Sequence, residues 1–255
     1  MIKSVQKALN ILTLISNNLG QPVTVSEISH QLSLNKSTCC HLLDTLETEG
    51  FATNISRSIG YILGPAAYCL TRYDNYKNQF IATVKPIINY LHQNLKHTVA
   101  LAIIESEKKY IIDYIDGDDL YEDKPKIMSD DIYRTATGRA ILANMHTDEI
   151  YKIYQKFGKP KPDEWNEITS LDDLYAFVKN SKNEQIFKSV QRKEDGIYSG
   201  FASPLFSKKG CVGSIGVGLK TQKPLSQKEE NEIKSYLLVG AKIANMHLKN
   251  QNLSD

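Results

Sequence analysis

The segment Asn35-Lys36-Ser37-Thr38-Cys39-Cys40-His41-Leu42-Leu43-Asp44-Thr45-Leu46-Glu47-Thr48-Glu49-Gly50 carries both ends of a helix in its own residues. Asn35 is a preferred N-cap, because its side-chain oxygen accepts one of the orphan amides of the first turn. Gly50 is a natural stop, since it tolerates the left-handed backbone that closes a helix. Between them Cys39, Leu42, Leu43 and Leu46 recur at i, i+3, i+4 and i+7, one buried stripe of a helix. The opposite face begins with Ser37, Cys40, His41, Asp44 and Thr45, short hydrogen-bonding side chains, with Lys36 at its start. A helix with a greasy back and a small polar front is built to lie against something polar.

Reading outward places this helix third in a compact unit. Upstream, Thr24-Val25-Ser26-Glu27 is a capping box that opens a short helix with Ile28 and Leu32 inward, and Ser33-Leu34 is the tight turn between the two. Further upstream, Ser4–Ser16 has Val5, Ala8, Leu9, Leu12 and Ile15 at helical spacing and is predicted to bury that stripe. Downstream, Phe51–Thr53 and Gly60–Gly64 read as two short strands around a polar loop containing Arg57. Helix, short helix, turn, helix and hairpin is the order of a winged helix-turn-helix, predicted for residues 1–64. Pro65 breaks the pattern, and residues 65–78 are predicted as a linker helix.

From residue 79 to 255 the pattern changes. Phe80, Ile81, Val84, Ile87, Ile88 and Leu91 predict a long amphipathic helix, and Val99–Ile104 with Tyr110–Ile115 a β-hairpin. Helices are expected at Thr137–Met145, Asp148–Phe157 capped by Thr147, and Leu171–Asn180 capped by Ser170. A second hairpin is expected from Phe201–Phe206 and Cys211–Leu219. Ser226-Gln227-Lys228-Glu229 is another capping box. It opens a last helix with Ile233, Leu237, Ala241, Ala244 and Leu248 on one face. Strands interleaved with helices predict an α+β domain around a largely antiparallel sheet.

Composition limits what this assembly can do. The 255 residues are 41% hydrophobic and 24% charged, an ordinary folded chain. No apolar run approaches a membrane span, and the first residues lack the apolar core of a signal peptide. Four cysteines without paired spacing read as reduced thiols of a cytoplasmic protein. The six histidines have no metal-ligand spacing, so no metal and no cofactor is expected. No G-x-G-x-x-G precedes a helix, which excludes a dinucleotide site. Gly216 and Gly218 share one face of a strand: either a ligand approaches there, or a helix crowds the sheet. Nucleophilic catalysis has little support, since no G-x-S-x-G elbow exists, and the chain is not expected to be an enzyme. The carboxylates between Asp113 and Asp131 read as a solvated loop.

Taken together, Ser4–Leu12, Val25–Leu32, Lys36-Ser37-Thr38 with Leu42–Leu46, Gly50-Phe51, Tyr61–Gly64, Thr137–Ala143 and Ala202–Leu205 resemble the IclR-type bacterial transcription regulators, in order and separation, over nearly the whole chain. The resemblance implies an N-terminal winged helix that binds a double-stranded, pseudo-palindromic DNA operator. It also implies a C-terminal GAF-like effector-binding domain, assembly as a homodimer or a dimer of dimers, no membrane partner, and regulation of an operon by a small organic acid. Lys36, Ser37, Thr38, Cys40, His41 and Thr45 would then meet the major groove, Lys3 and Lys7 the phosphates, and Arg57 at the wing the minor groove or backbone. The family usually has Arg where this chain has His41. A neutral imidazole offers one donor and one acceptor instead of a fork, so a different base preference or weaker affinity is expected.

The effector site implied by the resemblance starts at Thr135-Ala136-Thr137-Gly138, where a helix N-terminus would seat a carboxylate. A family Asp falls at Ser189 or Val190, a family Cys at Ser199 or Gly200, and two family serines at Gly216 and Gly218. Ser214, on the same strand, completes the set. The clamp for a two- or three-carbon acid is missing, so a roomier pocket for a larger, aromatic or sugar-derived acid is expected. Arg139 could pair with an anion, but reads better as a structural residue on the helix surface. A GAF-like enzyme and a winged-helix protein-interaction module are the competing functions.

Charge sharpens the DNA expectation. The chain has 31 basic and 29 acidic residues, a net of +2. Residues 1–75 balance, with Lys3, Lys7, Lys36, Arg57 and Arg72 against Glu27, Asp44, Glu47, Glu49 and Asp74. Few phosphates can be neutralised by one copy, so useful affinity is expected to need dimerisation.

Overall fold

The computed structural model describes residues 2–18, 20–70, 78–117, 128–129 and 132–250. The chain divides into two compact units, Met1–Tyr76 and Lys77–Asp255.

The first unit contains α1 (Lys3–Asn17), α2 (Val25–Gln31), α3 (Lys36–Thr48), the antiparallel strands β1 (Ala52–Ser56) and β2 (Gly60–Leu63), and α4 (Pro65–Leu70). The local signals act as expected. Thr24 Oγ1 accepts from the Glu27 amide at 3.3 Å, and Glu27 returns a carboxylate to the Thr24 amide at 2.8 Å. Asn35 Oδ1 accepts from the Thr38 amide at 2.7 Å, a cap of the kind that stabilises a helix by about 1 kcal/mol. The core is Ile11, Ile15, Val23, Ile28, Cys39, Leu43, Leu46, Ala52 and Tyr61. In α1 the expected stripe is rotated. Ile11 and Ile15 are buried, whereas Val5 and Leu9 lie 53% and 57% exposed with Ile2 beside them. α1 is apolar on two sides, and periodicity alone does not say which one the core takes. A bridge between Val23 and Tyr61 ties the start of α2 to the wing.

The second unit runs α5 (Asn78–Leu95), β3 (Thr98–Glu105), β4 (Lys108–Ile115), β5 (Met128–Ser129), α6 (Ala136–Leu142), α7 (Thr147–Phe157), α8 (Pro162–Trp165), α9 (Leu171–Asn180), β6 (Phe187–Lys193), β7 (Gly196–Ser207), β8 (Gly210–Thr221) and α10 (Gln227–Asn250). The sheet order is β5-β4-β3-β8-β7-β6, with every pairing antiparallel. β3 and β4 turn through Ser106 and Glu107, both at positive φ, the backbone that matches the strand twist of a two-residue hairpin. The edge strand β6, the first half of β7 and the short α8 are not in the sequence reading. β6 alternates Phe187, Ser189 inward with Lys188, Val190 outward, a short polar pattern that reads as a loop. The cap of α7 is also one residue earlier than expected: the His146 amide donates to Glu149 at 2.9 Å, and Thr147 is already helical.

The sheet has two different faces. α5 and α10 cover one, where Val84, Ile88, Leu91, Leu237 and Leu248 pack on Leu101, Phe201, Ile215 and Val217. α6 lies on the other, against Ala102, Ile111, Phe187 and Ala202. Helices α7 and α9 and the short α8 add a further core of Leu142, Ile150, Ile153, Trp165 and Leu174. Among the described residues no helix is long and apolar enough to cross a membrane.

Candidate functional site

In the first unit, the core side of α3 is Cys39, Leu43 and Leu46, fully or nearly buried, with Leu42 half-buried. Lys36, Ser37, Cys40, His41 and Thr45 are exposed, and Thr38 is half-buried. Thr45 Oγ1 donates back to the His41 carbonyl at 2.9 Å, so part of its hydrogen bonding is spent within the helix. Lys3 is exposed and Lys7 half-buried on α1, and Arg57 stands exposed at the wing tip. The structure therefore presents the α3 front as a continuous polar surface. Glu47 is the acid at its far end, accepting from the Asn54 amide of the wing at 3.4 Å.

In the second unit, the register sorts the effector candidates by face. Ser189 pairs with Gly200, Gly200 with Gly218, and Gly216 with Ala202, all on the α6 side. Ser199 pairs with Leu219, whose side chain lies in the α5/α10 core. Ser199 thus faces away from α6, and the structure does not bring it together with the others. Of each alternative pair, Ser189 and Gly200 lie on the α6 side and Val190 and Ser199 on the other, because neighbouring strand residues point to opposite faces.

The start of α6 is already well supplied with partners. Thr135 caps it, its hydroxyl accepting from the Gly138 amide at 3.2 Å. Ser189 Oγ accepts from the Ala136 amide at 3.0 Å. Two of the first three helical amides are therefore spent inside the protein, which departs from a free N-terminal seat for a carboxylate. Ser214 Oγ donates to the Thr137 carbonyl at 3.0 Å and is fully buried. A Cβ at Gly216 would stand 2.5 Å from Thr137 Cγ2, and one at Gly200 would stand 2.8 Å from Ser189 Oγ. Of the two readings of a side-chain-free strand face, the crowding helix holds at Gly216, whereas at Gly200 the close neighbour is Ser189 of the adjacent strand. Gly218 is only half-buried.

Two charged residues have roles the sequence did not reveal. Lys109 is 4% exposed, and its Nζ donates to Thr135 Oγ1 at 3.0 Å, so a buried ammonium sits at the start of α6. The signal was a lysine at the inward phase of β4, two residues before Ile111. Arg139 is half-buried. Its Nε donates to the Tyr133 carbonyl at 2.9 Å, and its two terminal nitrogens to Lys188 O at 3.0 Å and Glu164 O at 2.7 Å. Its guanidinium lies 4.3 Å from the Trp165 ring centroid. Burial lowers its pKa to about 10, still charged at neutral pH. It is a clamp joining α6, α8 and β6.

Other chemistry finds little support. Burial pushes the Cys211 thiol up to about 11, which leaves it protonated and inert. Among the described residues no group of three or more His, Cys, Asp or Glu could hold a metal ion. Of the carboxylate run, Asp113 is half-buried against Lys85 at 2.7 Å; residues 118–127 and 130–131 lie outside the described residues.

Comparison with known proteins agrees with both units. Residues 4–55 match the IclR helix-turn-helix domain, and residues 76–243 match the bacterial transcriptional regulator IclR C-terminal domain. Over 160 residues the chain is 23% identical to the transcriptional repressor IclR of Escherichia coli (strain K12), which covers 62% of this chain and 58% of that protein. Among solved structures, an IclR transcriptional regulator from Alicyclobacillus acidocaldarius superposes with a TM-score of 0.71 at 20% identity, covering 96% of this chain and 98% of the other. An IclR homolog from Microbacterium hydrocarbonoxydans, complexed with 4-hydroxybenzoate, gives 0.69 at 14% identity, covering 97% and 100%. With the two family domains spanning most of its length in the expected order, the chain belongs to the IclR family of bacterial transcriptional regulators.

Proposed function

We propose that this chain binds an operator through its first unit and is released or retained there according to a small organic acid bound by its second. The observation that carries the DNA reading is the α3 front: exposed Lys36, Ser37, Cys40 and His41 on a helix whose back is locked into the core. Short donors and acceptors on a rigid helix suit base edges in the major groove. Lys3, Lys7 and Arg57 supply the flanking phosphate or minor-groove charges. The operator is pseudo-palindromic and the binding species a homodimer, because two copies double a small phosphate count. Exposed Ile2 just before α1, Val5 and Leu9 on α1, and Leu70 on α4 are the kind of apolar surface that a second copy covers. The setting is the cytoplasm, and a dimer of dimers is the larger assembly.

The effector is a larger acid than pyruvate. Thr135 and Thr137 are its polar end, and Lys109 brings a positive charge to the same place; the Ala136 and Gly138 amides, paired within the protein, take no part. The 4-hydroxybenzoate bound by the Microbacterium relative is a precedent for an aromatic acid on this fold.

Two titrations test the proposal. Fluorescence anisotropy with duplexes selected from a random library should show a His41→Ala variant with altered affinity or sequence preference. Identical binding by wild type and variant would overturn the α3 assignment. Calorimetry should find 4-hydroxybenzoate binding more tightly than glyoxylate or pyruvate, with Lys109→Met weakening it. Tight binding of a two-carbon acid overturns the larger-ligand reading.

A further inference from the structure

The wing carries a feature that neither its fold nor its core requires. Ile55 is 47% exposed and Ile59 is 50% exposed, on either side of exposed Arg57. Ile55 is the extra residue of a β-bulge: Asn54 pairs with Tyr61 and Ser56 with Gly60, leaving Ile55 without a cross-strand partner. A bulge re-aims side chains and increases local twist. The tip is held stiff by its own hydroxyls. Ser56 Oγ accepts from the Ile59 amide at 3.1 Å and lies 3.1 Å from Ser58 Oγ. At the wing base, Asn54 Nδ2 donates to the Tyr61 hydroxyl at 3.2 Å. The result is a short rigid prong that displays apolar, cationic and apolar side chains in turn.

We propose that Ile55, Arg57 and Ile59 form a minor-groove prong specific for A·T-rich DNA flanking the site read by α3. This rests on the DNA-binding reading of the first unit and adds the sequence class that the wing selects. The physical argument has two parts. A narrow A·T minor groove concentrates negative potential and draws in a guanidinium. Its floor carries only acceptors, whereas a G·C pair adds the guanine N2 amino group. Branched apolar side chains fill the groove along the sugar walls and wedge at flexible steps. A protruding N2 amino group obstructs that fit sterically and leaves a donor without a partner. The positive charge between the two isoleucines favours DNA over an apolar protein partner for this prong.

The test uses the full-length chain and duplexes enriched from a random library, with the α3 site kept constant and only the flanks changed. Flanks are A·T, G·C, or inosine·cytosine. The inosine pair resembles G·C in the major groove but lacks the N2 amino group. Wild type should bind A·T and inosine·cytosine flanks alike and G·C flanks about 5- to 100-fold more weakly, the range of one unfavourable base pair. Ile55→Ser and Ile59→Ser together should abolish that difference while leaving the salt slope unchanged, since isoleucine displaces no counterions. Arg57→Ala should lower the slope by about one. Both isoleucines are exposed, so the variants should fold, which circular dichroism checks. Equal binding to all three flanks by wild type overturns the prong. So does discrimination that survives both serines, or a loss of sedimentation mass in the serine variant, which would place the isoleucines between copies of the chain. Failure to enrich any sequence from the library instead overturns the DNA-binding reading itself.

Discussion

Gly216 is where a single methyl group reports most clearly on how the second unit is built. Its Cβ would stand 2.5 Å from Thr137 Cγ2 and 3.2 Å from the Phe201 carbonyl. Thr137 cannot yield freely, because its hydroxyl donates to Thr135 Oγ1 at 3.2 Å and its carbonyl accepts from Ser214 at 3.0 Å. Gly216→Ala should therefore lift the first turn of α6 from the sheet, at an overpacking cost of about 1–3 kcal/mol. Thr137→Ser removes the offending methyl and keeps the hydroxyl. Alone it should cost about 1 kcal/mol for the lost buried methyl. Combined with Gly216→Ala, it should recover most of the loss, giving a coupling of about 1–3 kcal/mol in a double-mutant cycle. The readout is built in. Trp165 is the one tryptophan of the chain, is buried in the second unit and lies against Arg139 of α6. Urea unfolding followed by its fluorescence reports this unit alone. A Gly216→Ala protein within about 0.5 kcal/mol of wild type, the scatter of neutral surface changes, refutes the reasoning. A double variant no more stable than Gly216→Ala does so too.

Three further outcomes follow from the same structure. Arg139→Met should destabilise the second unit by about 2–4 kcal/mol, because the Tyr133 and Glu164 carbonyls lose a part-buried donor at about 1–3 kcal/mol each; a melt within 1–2 °C of wild type would contradict the clamp. Acid should weaken the fold through Asp195, Asp173, Glu27, Glu229 and Glu230, whose carboxyls are held low by hydrogen bonds, chiefly from Lys220, Thr169, Thr24, Ser226 and Lys188 in turn. A carboxyl with a lowered folded pKa contributes stability above its unfolded value of about 4 and loses it as pH falls through the folded value. For Asp195 that value is about 2, so Asp195→Asn should flatten the loss between those limits. At neutral pH a thiol reagent should label Cys40 and Cys69 quickly, as both are exposed, and Cys39 and Cys211 only on unfolding, as burial raises both thiols. Rapid labelling of a third thiol in the native protein would show the sheet or the α3 core to be open.

Much of the molecule was legible because local signals and burial pointed the same way. Thr24, Asn35, Ser170 and Ser226 each mark a helix start, and each cap is present. The inward stripes of α3 and α5 were readable because their other faces are polar; that of α10 was readable although Val239, Ile243 and Met246 lie exposed on that helix. α1 was misphased because hydrophobic residues encircle much of it, and β6 was passed over because an edge strand with one buried apolar side chain, Phe187, among mostly polar residues looks like a loop. Among the site candidates, the exposed α3 residues followed from the stripe behind them. Lys109, Arg139 and Ser199 did not, since each depends on which strand or helix lies opposite.

By itself, the sequence determined what is local: where the helices start and stop, which face of α3 is polar, the winged order of the first unit and the alternation of the two central hairpins. These follow from capping chemistry and from periods of 3.6 and 2, which act over a few residues. Only the tertiary structure decided which apolar side of α1 is buried and that β3 pairs with β8. Only there does Gly216 become room for α6, do two of the first amides of α6 find their partners within the protein, and does Arg139 become a clamp. Those outcomes rest on register and on contacts between residues far apart in the chain. A shift of one residue in a strand exchanges its two faces, and no local pattern records which exchange the packing selects.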